Sequence, residues 1–135
     1  MGFDDWILAL HVLSAFALVS ALILLWFVYL ALRANGGTSA ALGQLYKIGV
    51  IVVQIGVAGT LVSGVWLAIS LDAYRPWDGW VMIGFALLAI GTAAGFRAGH
   101  VSQQAGGSRQ TLVLHAVASL AAVLILVDMI WKPGA

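Results

Sequence analysis

The chain has 135 residues, of which 63% are hydrophobic and only 8% are charged, and its net charge is +1. Ordinary soluble domains are roughly 45–50% apolar and about 25% charged. So few charges cannot cover the surface of a soluble globule, which excludes a soluble enzyme and a disordered tail. The near-neutral charge excludes a nucleic-acid binder. The sequence has no cysteine, which excludes disulfides and thiolate metal sites.

Charged residues are separated by four long uncharged stretches. These are residues 6–32, 48–71, 79–96 and 110–127. A helix needs about 20 apolar residues to cross a bilayer, with a range near 17–25. The stretches do not alternate between polar and apolar residues, as the strands of membrane β-barrels do. The sequence therefore predicts an all-α, polytopic membrane protein with four transmembrane helices. Their expected bounds are about 6–32, 46–70, 79–99 and 110–131.

The connections between the predicted helices are short, so we expect an antiparallel, up-down-up-down four-helix bundle. The whole chain, residues 1–135, forms a single transmembrane domain in this interpretation. The acidic start of the chain, with Asp4 and Asp5, lacks the positively charged region of a signal peptide. We therefore expect the first helix to be retained.

The distribution of Lys and Arg predicts the orientation of the bundle. Four cations fall on the side of the first and third connections, namely Arg33, Lys47, Arg97 and Arg109. Two fall on the opposite side, namely Arg75 and Lys132. The side with more cations faces the cytoplasm. We therefore expect both termini outside.

Aromatic residues gather near both predicted boundaries, as they do in the aromatic belts of membrane proteins. The expected outer belt consists of Trp6, Trp66, Tyr74, Trp77, Trp80 and Trp131. The expected inner belt consists of Trp26, Tyr29 and Tyr46.

Glycines recur along the second and third predicted helices. The third helix carries Gly91, Gly95 and Gly99, a repeated GxxxG pattern that allows helices to approach closely. The pattern predicts helix packing within the bundle, with Gly95 at its centre. The alternative is an interface for a homo-oligomer or for a partner in a larger membrane complex.

Ionisable residues inside the predicted helices are the candidates for function, because they are costly in a bilayer. His11 lies near the outer boundary and His115 near the inner one, so the two cannot ligate a single haem iron together. We expect an outer polar layer that joins His11 with Asp128. We expect an inner layer that joins His115 with Gln54 and Thr92.

Each of these residues has a structural as well as a functional interpretation. A neutral imidazole can bind haem iron or a metal, or relay protons, but a buried histidine can also be satisfied by a neighbouring helix. Asp128 either takes part in a proton relay or pairs with Lys132 four residues later. His100 is expected at the interface, or beside His115 in a metal site. The sequence contains no glutamate and no catalytic motif, so whether the protein is an enzyme stays open.

The W-x-x-x-L-H pattern of Trp6–His11 resembles the start of a family of small four-helix bacterial membrane proteins of unknown function. That family is loosely similar to CopD-like copper-resistance proteins and HemJ-like protoporphyrinogen oxidases. Residues 63–67 and 128–133 fit the same resemblance, which extends over nearly the whole chain. By this resemblance, His11 is a ligand of b-type haem or of a metal. The chain lacks the further basic residues of HemJ-like enzymes and the additional His or Met of copper carriers, so oxidase activity and copper transport are not carried over.

The leading hypothesis, which the resemblance implies, is a multi-pass protein of the bacterial inner membrane that binds haem b through His11, in a redox or haem-related role. Asp128 is expected to orient the imidazole through its second nitrogen, and His115 is the next candidate ligand. The competing hypothesis is a non-enzymatic structural or assembly subunit of a larger membrane complex. In both cases the lipid bilayer is a partner and nucleic acid is not.

Overall fold

The computed structural model of the chain describes residues 2–36, 39–70, 75, 77–105 and 109–131, with the backbone alone described for residues 99 and 101–105. Four α-helices follow one another, α1 (Phe3–Ala34), α2 (Ala40–Ser70), α3 (Gly79–Ala105) and α4 (Arg109–Trp131). All four are long and apolar enough to cross a membrane, α3 over Gly79–Ala98. The architecture is that of a multi-pass membrane protein, and it confirms the four predicted helices.

The turn between α1 and α2 explains why both helices extend further than the uncharged stretches. Gly36 adopts a left-handed conformation, with φ of 66°, which ends α1 in the way typical of helix C-termini. The Ser39 hydroxyl accepts a hydrogen bond of 3.3 Å from the backbone N–H of Leu42. Ser39 thus caps α2, which begins at Ala40 rather than near residue 46.

The helices associate as two pairs. Helices α1 and α2 pack along their whole length, as do α3 and α4, whereas contacts between the pairs are few. In the first pair, glycines of α2 face side chains of α1. The facing residues are Gly49 and Leu25, Gly56 and Leu18, Gly59 and Ser14, and Gly64 and His11. The small residues therefore supply the close approach on which helix packing in lipid depends.

In the second pair, the contact is centred on Gly91. A Cβ at Gly91 would lie 3.2 Å from the Cβ of Ala121. A Cβ at Gly95, which we expected at the centre of the contact, would have no atom within 4 Å. The surroundings of Gly99 lie outside the described side chains. The GxxxG prediction is thus corrected by one turn, because α4 presents the small residues Ala118 and Ala121 at the level of Gly91.

The surface of the four helices is apolar. Large hydrophobic side chains such as Phe16, Phe27, Ile55 and Ile130 are exposed. A surface of this kind is stable against lipid and not against water, so the bilayer is a partner of the protein. Beneath this surface, a buried cluster of Ala21, Leu25, Val28, Tyr46 and Val53 joins α1 to α2.

The two ends of the bundle differ, and each contains one histidine that lines a cavity. The turn end is the end near the turn between α1 and α2, where Tyr29 and Tyr46 lie against His115. The terminal end is the opposite end, where His11 and Asp128 line one cavity.

Candidate functional site

A cavity of about 380 Å³ lies between the two helix pairs at the terminal end, and all four helices line it. We call it the terminal cavity. Its volume falls within the range of about 300–1,000 Å³ that is typical of ligand pockets. Most of its wall is apolar, and the side chains with polar atoms are His11, Thr60, Trp80 and Asp128. The structure therefore brings the two residues of the expected outer layer, His11 and Asp128, to one cavity.

The imidazole of His11 is held by α2. Its Nδ1 lies 3.1 Å from the carbonyl oxygen of Thr60 and 3.0 Å from Oγ of Ser63. A carbonyl oxygen can only accept, so Nδ1 carries the proton. The Ser63 hydroxyl donates its proton to the Gly59 carbonyl. Toward the imidazole it can therefore only accept a hydrogen bond. The network therefore leaves Nε2 of His11 with an unprotonated lone pair.

A glycine makes this arrangement of His11 possible. A Cβ at Gly64 would lie 3.1 Å from Cε1 of His11. Any larger residue there would press on the ring and displace Nδ1 from the Thr60 carbonyl. Gly64 thus lets the imidazole lie flat against the backbone of α2, which fixes its orientation as well as its depth.

Asp128 approaches the terminal cavity from α4. The residue is only 6% exposed, and both carboxylate oxygens are buried without a hydrogen-bond partner. The expectation that Asp128 orients His11 is corrected, because the N–H at Nδ1 of His11 donates to the Thr60 carbonyl and the Ser63 hydroxyl instead. The alternative partner, Lys132, lies outside the described residues.

A second polar site lies toward the turn end, around His115. This residue is 3% exposed, and its Nε2 lies 3.0 Å from the hydroxyl oxygen of Tyr46. The centroids of the Trp26, Tyr29 and Tyr46 rings lie 5.8–5.9 Å from the imidazole centroid. The expected inner aromatic belt is therefore corrected: these three side chains enclose His115 instead of facing the membrane boundary.

The expected inner layer is present with a different hydrogen-bond partner. Gln54, Thr92 and His115 line one small cavity of about 40 Å³, together with Tyr46. The hydrogen bond with His115 is made by Tyr46, which we expected at the membrane boundary. Nearby, Nε1 of Trp26 donates a hydrogen bond of 2.7 Å to Oγ of Ser119.

The remaining sequence predictions concern the boundaries. His100 is exposed on α3, in contrast to the enclosed His115, and the described residues contain no cluster of three or more His, Asp or Glu that could hold a metal ion. Several outer-belt residues, including Trp6, Trp66 and Trp131, are exposed. Trp80 lines the terminal cavity, and Tyr74 lies outside the described residues.

Sequence reasoning missed Thr60, Ser63 and Tyr46, although α2 carries a signal for them. The buried residues of α2 alternate between spacings of three and four, the period of a helix–helix seam. They are Tyr46, Gly49, Val53, Gly56, Thr60 and Ser63. The two polar residues at the end of this seam are those that hold His11.

Comparison with protein-family models, curated proteins and solved structures finds no match to this chain. The functional interpretation of the two sites therefore depends on their geometry.

Proposed function

We propose that the protein binds b-type haem in the terminal cavity through Nε2 of His11, in a redox or haem-related role. The observation that carries this proposal is the hydrogen bond from Nδ1 of His11 to the Thr60 carbonyl. Histidines that ligate iron typically donate their other ring N–H to a carbonyl or carboxylate, which fixes the tautomer and the ring orientation. His11 has this arrangement, with its lone pair available on Nε2.

The apolar residues around His11 suit the ring of a haem group. The terminal cavity offers apolar walls from four helices, which suits a flat and largely apolar macrocycle. His115 is engaged with Tyr46 and lies toward the opposite end, which supports ligation by a single histidine. Haem bound there would supply one-electron redox chemistry. The chain would contribute the ligating nitrogen of His11, the orientation of its imidazole through Thr60 and Ser63, and an apolar wall that excludes water.

We further propose an antiparallel bundle in the bacterial inner membrane, with both termini outside. The pairing along the first helix pair supports the antiparallel arrangement, because contacts move toward the start of α1 as they move toward the end of α2. The excess of Lys and Arg at the first and third connections supports the orientation.

An absorption spectrum of detergent-purified protein, reconstituted with haem, tests the ligand assignment. We expect a Soret band in the wild type and its loss in His11→Ala, with far-UV circular dichroism unchanged. His100→Ala is the matched control, because it removes an exposed imidazole, and it should keep the band. A normal spectrum in His11→Ala would contradict the assignment.

The alternative function is a non-enzymatic structural or assembly subunit in a homo-oligomer or a larger membrane complex. The exposed hydrophobic side chains, among them Phe16, Phe27 and Ile130, support it, since a helix of another chain can cover them as well as lipid can. A wild-type protein that takes up no haem, and that co-purifies with a membrane partner, would replace the haem proposal with this one.

A further inference from the structure

The terminal cavity contains a recognition element that ligation by His11 does not use. We propose that its Asp128 side binds a protonated amine carried by an apolar or aromatic organic group. This inference concerns the same cavity as the proposed haem, but it does not depend on haem being bound.

The burial of Asp128 is the first observation behind this inference. A carboxylate taken out of water is costly unless it is paired and hydrogen-bonded. Asp128 is 6% exposed, and neither of its oxygens has a hydrogen-bond partner among the described residues. Trp80 lines the same cavity, yet neither oxygen of Asp128 accepts a hydrogen bond from it. The Asp128 carboxylate can therefore recognise a ligand that donates hydrogen bonds to it.

The other polar groups of the cavity define what that donor must be. The Oγ1 atom of Thr60 is also buried without a partner, and Nε2 of His11 carries a lone pair. No Lys or Arg lines the cavity in the described part of the chain. The polar atoms available to a ligand are thus mainly hydrogen-bond acceptors, and they surround the negative charge of the Asp128 carboxylate. An ammonium group supplies three N–H donors and the opposite charge.

The apolar part of the cavity wall suits the organic part of such a ligand. Leu8, Leu61 and Met129 supply aliphatic surface, and the aromatic rings of Trp80 and Phe85 line the same space. Aromatic faces attract cations, most strongly where water is excluded. A metal ion would be held less well, since His11 and Asp128 alone do not make a three-ligand group.

Gly84 lies directly beside the carboxylate of Asp128. A Cβ at this position would lie 3.3 Å from Oδ2 of Asp128. A larger side chain there would cover the carboxylate without removing its charge. Gly84→Val therefore tests the space beside Asp128 separately from the charge of Asp128.

Titration calorimetry with the full chain in detergent micelles tests the proposal, with 2-phenylethylammonium as the probe and 2-phenylethanol as its neutral counterpart. We expect the wild type to prefer the ammonium by at least about tenfold, a difference of ~1.4 kcal/mol. Asp128→Asn, which is nearly isosteric, should abolish this preference. Asp5→Asn removes an exposed carboxylate and should leave the preference unchanged.

Gly84→Val should weaken ammonium binding, while its circular dichroism spectrum stays that of the wild type. This variant tests the inference if Asp128→Asn does not fold. Equal binding of the two probes by the wild type, no binding, or full ammonium affinity in Asp128→Asn would overturn the inference. A missing Soret band would overturn only the haem proposal, because ammonium binding is measured without haem.

Discussion

Gly56 and Gly95 occupy opposite situations in the bundle, and the same substitution at each should have opposite effects on stability. At Gly56, a Cβ would lie 3.0 Å from Cβ of Leu18 and 3.1 Å from its Cα and backbone N. Two of these three atoms belong to the backbone of α1, so relief requires the helices to separate. At Gly95 a Cβ would have no atom within 4 Å.

The sign and size of both effects follow from this geometry. Replacing a glycine by alanine within a helix gains about 0.5–1 kcal/mol of conformational free energy. Overpacking of a close contact costs about 1–3 kcal/mol. We therefore expect Gly56→Ala to lower the free energy of unfolding by about 1–2 kcal/mol, and Gly95→Ala to raise it by ~0.5–1 kcal/mol.

The assay is unfolding in mixed micelles by titration with sodium dodecyl sulfate, followed by far-UV circular dichroism. Each variant serves as the control for the other, since both exchange the same two residue types in a transmembrane helix. Equal stability of the two variants, or a less stable Gly95→Ala, would refute the assignment of the contacts to Gly56.

Two further predictions concern the turn end and the orientation. Tyr46→Phe leaves Nε2 of buried His115 without its hydrogen-bond partner. It should lower the free energy of unfolding by about 1 kcal/mol in the same assay. An unchanged free energy of unfolding would show that the hydrogen bond does not contribute to stability. In intact cells, Ser39→Cys and Ser108→Cys should be shielded from an impermeant thiol reagent and Gly2→Cys should be labelled. The absence of native cysteine leaves no background, and the reverse labelling pattern would invert the orientation.

The sequence predicts the helices well because their signal is local. A long stretch without charges is costly to expose to water wherever it lies, so the four apolar helices can be recognised without knowledge of their neighbours. The depth of a residue can also be counted from the nearest charge. This is why His11 and Asp128 could be placed in one layer, and the structure does bring them to a single cavity.

The rotation of each helix is harder to predict, because it depends on which neighbour a side chain meets. The sequence placed Tyr46 near the membrane boundary, where aromatic residues suit both the interface and the core. The contacts of α2 instead turn Tyr46 toward His115. The same limitation applies to Gly95. A GxxxG pattern identifies a face of α3, but the small residues of α4 decide that the contact forms at Gly91.

Two hydrogen bonds join the helix pairs toward the turn end, one between Tyr46 and His115 and one between Trp26 and Ser119. At the other end, the terminal cavity separates the pairs. The pairs are therefore joined at one end of the bundle and separated at the other, and the exposed surfaces of the helices are apolar. We expect a ligand to reach such a gap from among the lipid chains. Its occupancy then follows the concentration of the ligand in the bilayer, so that a compound scarce in water but soluble in lipid can fill the cavity.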